Sequence, residues 1–312
     1  MRVQAVLLAG DRGASRAVRG QSKAFIEVAG KPMVVHVLEA LLHTPEVSEV
    51  YLVGDSLRLE AALAEHGCPQ LAAARSRPVH IVPQRETLYQ NIWHTFLRTL
   101  PEGEPPEDHP ILVVPSDIPL VVPEEISGFV RESMAMEADY VVGLTPDFAM
   151  ERFGSRDGEP GISMAYFNLA EGRFRQNNLH LVRPLRFGNR HYVQDMYEHR
   201  YQKEIGNMIR LGLRILRREY RHLWVLLLYA LLHVASVADR RGYARLARWA
   251  RARLGLARIE RGASGMLKTR FRTALTLLGG AAVDIDNEVD LDAAEKMFHR
   301  WKEMQARLSR AA

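Results

Sequence analysis

The chain contains very little cysteine: Cys68 is the only one in 312 residues. A single thiol cannot form an internal disulfide, and it cannot build a metal site of clustered cysteines. This scarcity fits a reducing compartment. The N-terminus passes from Met1 and Arg2 directly into an apolar run without the pattern of a secretory leader, so we expect a cytoplasmic protein.

A strong charge imbalance is also absent. The chain has 42 Lys and Arg against 37 Asp and Glu, which gives a formal net charge of +5. This balance suits anionic small substrates but does not indicate nucleic acid, and we expect no nucleic-acid partner. With 47% apolar and 25% charged residues, the composition is that of a globular protein, long enough for one large domain or a domain with an insertion.

The apolar run at 223–237 is shorter than the roughly 20 residues that a membrane-spanning helix requires. It contains His233 and Ser236 and is flanked by arginines on both sides. A buried helix is the simplest interpretation. Because apolar helices flanked by arginine also lie at lipid surfaces, a peripheral membrane contact through 211–238 stays open, as does a pocket for a lipid-linked acceptor.

Short apolar runs alternate with amphipathic stretches in the first half of the chain, which is typical of a parallel sheet covered by helices. Strands are predicted at 3–8, 47–53, 79–82, 111–115, 139–144 and 162–169, and helices at 33–43, 56–66, 88–100 and 123–134. Residues 193–278 are nearly all helical in pattern, and a strand at 281–285 and a helix at 291–308 follow. We therefore expect an α/β fold with a three-layer, open, mostly parallel sheet. Residues 1–192 and 279–312 would form its domain and 193–278 a helical insertion.

The first predicted strand ends in a loop of small and basic residues at 9–16. Backbone N–H groups and cationic side chains at the end of a strand suit a triphosphate. Lys23 follows this loop, and the turn Gly30-Lys31-Pro32 then precedes an apolar helix. Glycine-containing loops are common, so a plain surface loop with a solvated lysine is the structural alternative. The three features in this order favour a nucleotide site.

Acidic residues follow two other apolar runs. Asp117 comes after 111–115, and Asp284 and Asp286 lie within 283–287, where strand alternation would put them on one face. Open α/β sheets bind ligands at the carboxyl ends of their strands, and a few carboxylates suit Mg²⁺ beside phosphate oxygens. Asp is also an ordinary turn residue, and Asp290 suits a helix N-cap, so these residues also have structural explanations.

Two more segments contain candidate binding residues. Segment 83–91 follows a strand and begins a helix, where Thr87 also suits capping. Segment 172–184 contains three arginines, two asparagines and a histidine, which suit a phosphorylated acceptor or a solvated basic hairpin. Nothing in the sequence supplies His180 with a partner carboxylate for catalysis.

These motifs resemble the nucleotidyltransferases of the nucleotide-diphospho-sugar transferase fold. This group includes molybdenum cofactor guanylyltransferase, the methylerythritol phosphate cytidylyltransferase and the sugar-1-phosphate nucleotidyltransferases. Their usual opening is L-A-G-G-x-G-x-R, then P-K, then a G-K-P turn. In this chain Asp11 stands at the second Gly, Ser22 replaces the Pro before Lys23, and Arg16 lies one place late. The resemblance covers roughly residues 1–145 and 281–308.

The resemblance implies Mg²⁺-dependent transfer of a nucleotide from an NTP to a phosphorylated or alcohol acceptor, with release of pyrophosphate. It implies that Asp117 and Asp286 hold the metal, and that the catalytic residues are Lys23, Arg16 and Asp117. The nucleotide-binding residues that it implies are Leu8, Ala9, Gly10, Asp11, Gly13, Lys23, Arg85 and Thr87. The acceptor, small or lipid-linked, would contact Arg175, Asn178 and His180.

Two other functions stay open. Asp284-Ile285-Asp286 has the D-x-D form of the metal motif in nucleotide-sugar glycosyltransferases, although those enzymes place it in the middle of the chain. The departures at Asp11 and Ser22 are compatible with a nucleotide-binding regulatory or scaffold protein. Release of pyrophosphate would indicate a nucleotidyltransferase, and release of a nucleoside diphosphate would indicate a glycosyltransferase.

Overall fold

The computed structural model describes residues 2–11, 18–102, 108–156, 158–189 and 223–311. In these ranges the strands are β1 (Val3–Leu8), β2 (Glu27–Val28), β3 (Lys31–Pro32), β4 (Val47–Gly54), β5 (Val79–Pro83), β6 (Ile111–Pro115), β7 (Tyr140–Pro146), β8 (Phe167–Asn168), β9 (Arg173–Val182) and β10 (Phe271–Leu275). The α-helices are α1 (Met33–His43), α2 (Ser56–Glu65), α3 (Cys68–Ala74), α4 (Leu88–Thr99), α5 (Pro123–Ala135), α6 (Asp147–Met150), α7 (Leu223–Arg240), α8 (Ala244–Arg251), α9 (Leu256–Leu267) and α10 (Glu288–Ala311).

The main sheet of the described ranges has the strand order β10-β7-β9-β6-β1-β4-β5, and β8 pairs with β9. Strand β9 is antiparallel to both neighbours, whereas the other pairs along this order are parallel. From β1 the chain forms β4 and β5 on one side and then returns to β6 on the other. The strand order therefore reverses at β1, and such a reversal leaves a crevice for a ligand at the carboxyl ends of the strands.

Strand β1 is buried on both faces, as expected for the middle of a parallel sheet. Ala5 and Leu7 pack in the same cluster as Leu38 of α1, and Val6 packs in the cluster of Phe96 from α4. This arrangement confirms the predicted α/β class, a mostly parallel sheet between layers of helices. The helices predicted between 33 and 134 are present, with ends within one residue of the prediction.

The prediction was wrong for the strands around β9. Of the strand predicted at 162–169, only Phe167–Asn168 pairs, whereas the basic stretch after it forms the ten-residue β9. The pairing of β9 with β7 shifts register between Val142 and Leu144. The shift interrupts the period-2 pattern that identifies a strand, and the buried Asn177 adds a polar residue to its inner positions.

The end of the predicted helical stretch was also wrong. Residues 271–275 form β10, which pairs with β7 at the edge of the sheet and buries only Ala274 among its side chains. Conversely, 281–285 is not a strand, because a 3-10 turn occupies Gly280–Ala282. The helical insertion that was predicted to end at residue 278 therefore includes β10, a strand of the main sheet. The division into a domain and an insertion stays a prediction, and residues 193–222 lie outside the described ranges.

Helix α7 contains the apolar run at 223–237. Its buried residues Leu228, Leu231 and Ala235 pack with Leu144 of β7 and Phe174 of β9. The run is therefore partly a core element. No helix in the described part of the chain has the length and apolarity to cross a bilayer.

Candidate active site

The loop after β1 begins at the point where the strand order reverses. Ala9 N–H donates to the carbonyl of Val53 (2.8 Å), and Ser116 N–H donates to that of Leu8 (3.0 Å), so β1 is held between β4 and β6 as it ends. A Cβ added to Gly10 would lie 3.0 Å from Oε1 of Gln84, so glycine permits this close approach. Two predicted residues of the loop, Gly13 and Arg16, lie outside the described ranges.

Asp11 stands where the resembled family has a second glycine. Its N–H donates to Oε1 of Gln84 (2.9 Å), and Nε2 of Gln84 donates back to its Oδ1 (2.8 Å). Its other oxygen accepts from Arg58 (3.3 Å), whose guanidinium lies 4.0 Å from the ring centroid of Phe25. The Asp11 carboxylate is thus paired, and it joins the loop to residues that follow β5 and lie on α2.

Lys23 lies between the two carboxylates that the sequence analysis placed at a metal. Its Nζ is 3.5 Å from Oδ2 of Asp117 and donates a short hydrogen bond to Oδ1 of Asp286. Its side chain is only 14% exposed. Burial would lower the pKa of Lys23, but the charges of Asp117 and Asp286 outweigh burial and raise that pKa above its usual value.

The segments that carry the two carboxylates are in direct contact. Ile285 N–H donates to the backbone carbonyl of Asp117 (3.0 Å). Burial raises the pKa of Asp117 to about 6; Lys23 opposes the increase, and Asp284 and Asp286 add to it. For Asp286, burial would raise the pKa, yet Lys23 holds it below its usual range. The structure therefore brings Lys23, Asp117 and Asp286 together beside the end of β1.

Two of the predicted acceptor residues contact the segment that carries Asp284. Arg175 forms an ion pair with Asp284 and donates to the carbonyl of Ala282 (2.7 Å). Asn178 donates to the carbonyl of Ala281 (3.2 Å). These contacts hold the 281–284 segment against β9. His180, the third residue, interacts instead with the hydroxyl of Tyr140, at 3.0 Å from Nδ1.

Glu125 of α5 supports the same segment from inside the protein, and it was not among the predicted site residues. Its two carboxylate oxygens accept from Gly279 N–H (3.0 Å) and Ala281 N–H (2.9 Å), and it is 3% exposed. Burial raises the pKa of Glu125 although the two N–H bonds oppose the increase. No local signal identifies it, because Glu124 next to it is equally acidic and also in the first turn of the helix.

The residues predicted on the 83–91 segment have local partners. Thr87 is the N-cap of α4 and forms a capping box with Gln90 (3.1 and 3.3 Å), while Arg85 N–H donates to Oδ1 of Asn91. Their contact with a nucleotide stays a prediction. Asp290, considered above as a cap, lies inside α10: its N–H donates to Oδ1 of Asn287, the residue before the helix (3.0 Å).

A grouping of three or more His, Cys, Asp or Glu arranged for a metal ion is not found in the described ranges. The candidate metal residues are instead the two carboxylates on either side of Lys23. Carboxylate oxygens are the ligands that Mg²⁺ prefers, and in this structure those of Asp117 and Asp286 are paired with Lys23.

The sequence pattern of the MobA-like NTP transferase domain matches residues 5–253, well over half of the chain. The chain belongs to the MobA-like NTP transferase family. Family membership makes it a nucleotidyltransferase, and it agrees with the nucleotide-diphospho-sugar transferase fold expected from the β1 loop and the Asp117 element.

Individual similarities agree with this family. The chain is similar to a bifunctional protein GlmU of Halorhodospira halophila, at 36% identity over 126 residues, which are 40% of this chain and 23% of that protein. It is 28% identical over 145 residues to GlmU of Legionella pneumophila, covering 46% of this chain and 28% of that protein. The chain thus spans about a quarter of the length of these curated relatives. A hypothetical transferase from Thermus thermophilus has a similar structure, with TM-score 0.55 and 26% identity over 93% of this chain and 100% of that one.

Proposed function

We propose that this family member is a Mg²⁺-dependent enzyme that joins an NTP to a phosphorylated or alcohol acceptor and releases pyrophosphate. The observation that carries the proposal is the contact of Lys23 with both Asp117 and Asp286, beside the reversal of strand order, where Ser116 N–H donates to the Leu8 carbonyl at the end of β1. In an open α/β sheet this is where a nucleotide phosphate would lie. The acceptor would be a small or a lipid-linked molecule.

The residues present fit a magnesium ion. Asp117 faces Asp284 and Asp286, and these carboxylates add to the increase in its pKa, so a cation between them would relieve their repulsion. Asp117 and Asp286 would hold the ion. When bound, it would neutralise negative charge on phosphate oxygens.

The protein's own groups would position the reactants and stabilise charge. The acceptor oxygen attacks the α-phosphorus in line, the bond to the bridging oxygen breaks, and pyrophosphate leaves. Lys23, with Arg16, would stabilise the charge that develops on the phosphates. The backbone of Leu8, Ala9 and Gly10 would lie against the nucleotide. Arg85 and Thr87 would lie near it on the side of α4.

The three residues proposed for the acceptor all lie on β9. Arg175 would act mainly by holding the Asp284 segment, because its guanidinium already contacts Asp284 and Ala282. Asn178 makes a similar contact to Ala281 and would support the same segment. His180, whose Nδ1 lies 3.0 Å from the hydroxyl of Tyr140, would also contact the acceptor.

The proposal is tested by incubating the purified protein with Mg²⁺, each NTP in turn and a panel of sugar phosphates and phosphorylated alcohols. We expect release of pyrophosphate, reduced at least about 100-fold in Asp117→Asn and Asp286→Asn. The matched control is Asp108→Asn, which removes an exposed carboxylate paired with Arg186 and should not change turnover. Release of a nucleoside diphosphate would instead indicate glycosyl transfer. Folded protein with no turnover of any NTP would favour a non-catalytic nucleotide-binding role.

A further inference from the structure

The positive charge of the chain is concentrated in one region. Residues 190–267 contain 16 Lys and Arg and 6 Asp and Glu, a net charge of +10, so the rest of the chain has a net charge of −5. In the described portion of this region, 223–267, all eight basic residues are arginines, against Asp239 and Glu260. The small net charge of the whole chain therefore conceals a basic segment, 190–267, within an otherwise acidic sequence.

Large apolar side chains are exposed in the same region. On α8 and just before it, Tyr243 is 59% exposed, Leu246 45% and Trp249 49%. The residues that α8 buries against α7 are the small Ala247 and Ala250. A helix stabilised only by its core contacts would bury its large apolar residues and expose its small ones. The orientation of α8 is the reverse, which marks its outer face as an interaction surface.

Apolar side chains are also exposed on α7. Trp224, Val234 and Val237 are each 38% exposed, although Leu228 and Leu231 of the same helix are buried. We give the name α7–α8 surface to the exposed apolar side chains of Trp224, Val234, Val237, Tyr243, Leu246 and Trp249 together with the exposed arginines Arg245 and Arg248. Arg253 lies at its border, with its guanidinium 4.2 Å from the ring centroid of Trp249.

A cavity of about 610 Å³ opens beside this surface and combines the same two chemistries. Its apolar walls are Trp224, Leu228 and Leu231, and its cationic side is formed by Arg253 and Arg258. These guanidinium groups donate to the backbone carbonyls of Trp249 (2.9 Å) and Arg253 (3.0 Å). Among the residues that the structure describes, neither arginine forms an ion pair with a carboxylate, and both guanidinium groups line the cavity.

We propose that the α7–α8 surface docks the protein on a membrane surface that contains anionic phospholipids. Arginines attract the phosphate groups, and Trp and Tyr side chains are suited to the headgroup region, where one end of the ring is apolar and the other is wet. Leu246, Val234 and Val237 would enter the boundary of the acyl chains. RNA would use the arginines but would not account for exposed aliphatic residues. The proposal does not depend on which reaction the enzyme catalyses.

Cosedimentation of the full chain with vesicles tests the proposal. We expect binding to vesicles of phosphatidylcholine mixed with phosphatidylserine, weaker binding to pure phosphatidylcholine, and a loss of binding as salt is raised. The variant Leu246→Ala/Trp249→Ala should reduce the partition coefficient about tenfold, and Arg245→Glu/Arg248→Glu should reduce it at least as much.

The matched controls are Leu57→Ala on α2 and Arg75→Glu after α3, which change exposed side chains near β5 at the opposite edge of the sheet. Circular dichroism of each variant establishes that the fold is retained. If Leu57→Ala reduced vesicle binding as much as the α8 variants do, the proposal would be overturned. So would a failure to bind anionic vesicles, or binding of single-stranded RNA in place of vesicles.

Discussion

Lys23 and Asp286 are 263 positions apart in the chain, yet the ammonium group of one donates directly to the carboxylate of the other. Asp117 completes the group at 3.5 Å from the same nitrogen. Lys23 precedes the first long helix and Asp286 precedes the last one. The contact therefore joins the beginning and the end of the described fold next to the ligand crevice of the sheet.

Lys23→Met should reduce kcat/KM for pyrophosphate release by at least about 100-fold, because the phosphates lose a cation and Asp117 and Asp286 lose the charge between them. Initial rates with saturating Mg²⁺ measure the effect. Lys31→Met is the control, since Lys31 pairs with Glu39 on the surface (2.7 Å). Equal rates for the two variants would contradict a phosphate role for Lys23.

Glu125→Gln should lower the free energy of unfolding by about 1–3 kcal/mol, because one of the two N–H groups of Gly279 and Ala281 would then face an amide NH₂. Displacement of the 279–286 segment should also raise the Mg²⁺ concentration required for half-maximal activity. Urea denaturation and a magnesium titration measure the two effects. Glu124→Gln, which changes the exposed neighbour, should alter neither, and a similar result for both variants would argue against the supporting role.

Gln84→Ala should raise KM for the NTP about tenfold with little change in kcat, because the loop after β1 would lose two hydrogen bonds to Asp11 that hold it in position. Initial rates over a range of NTP concentrations separate the two constants. Gln70→Ala, on the exposed face of α3, is the control. A change confined to kcat would indicate that Gln84 acts on the chemical step.

His36 should make the stability depend on pH. Its Nε2 donates to the carbonyl of Val28 (2.7 Å), its ring packs on Phe298, and burial lowers its pKa from 6.5 to about 4. Between these two values the unfolded chain binds a proton that the folded chain does not. The free energy of unfolding should therefore decrease as pH falls from about 6.5 to about 4, by up to about 3 kcal/mol at the lower end.

Urea midpoints at pH 7 and pH 5 measure this effect. In His36→Gln the midpoint should be lower at pH 7 because of the altered packing, but it should change less between the two pH values than in the wild type. His43→Gln is the control, since His43 is exposed at the end of α1. An identical pH response in wild type and His36→Gln would exclude His36 as its source.

Local features were predictable because they depend on residues close together in the sequence. The alternation in the first half specified the strands β1, β4, β5 and β6 and the helices α1, α2 and α4, since each apolar pattern has the period of its own element. The short helix α3 between β4 and β5 was not predicted. Strand β9 was not identified because its alternation is interrupted, and β10 was not identified because it buries only one side chain. In β9, Asn177 is buried because it donates to Thr276 on a distant segment (3.0 Å), a partner that local sequence does not reveal.

By itself, the sequence predicted the α/β class, the glycine loop after β1 and the position of Asp117 after β6, because residue type and position relative to a strand end specify these features. Asp286 follows a segment that is not a strand, and the family resemblance rather than a strand pattern singled it out. Only the tertiary structure decided that Lys23 lies between Asp117 and Asp286 and that Glu125 rather than Glu124 holds Gly279 and Ala281. It also decided that Arg58 pairs with Asp11 while Gln84 hydrogen-bonds to it. Each of these depends on which side chains meet across the sheet edge. These contacts depend on strand order and helix packing between segments that are distant in the sequence, and no local sequence pattern predicts them.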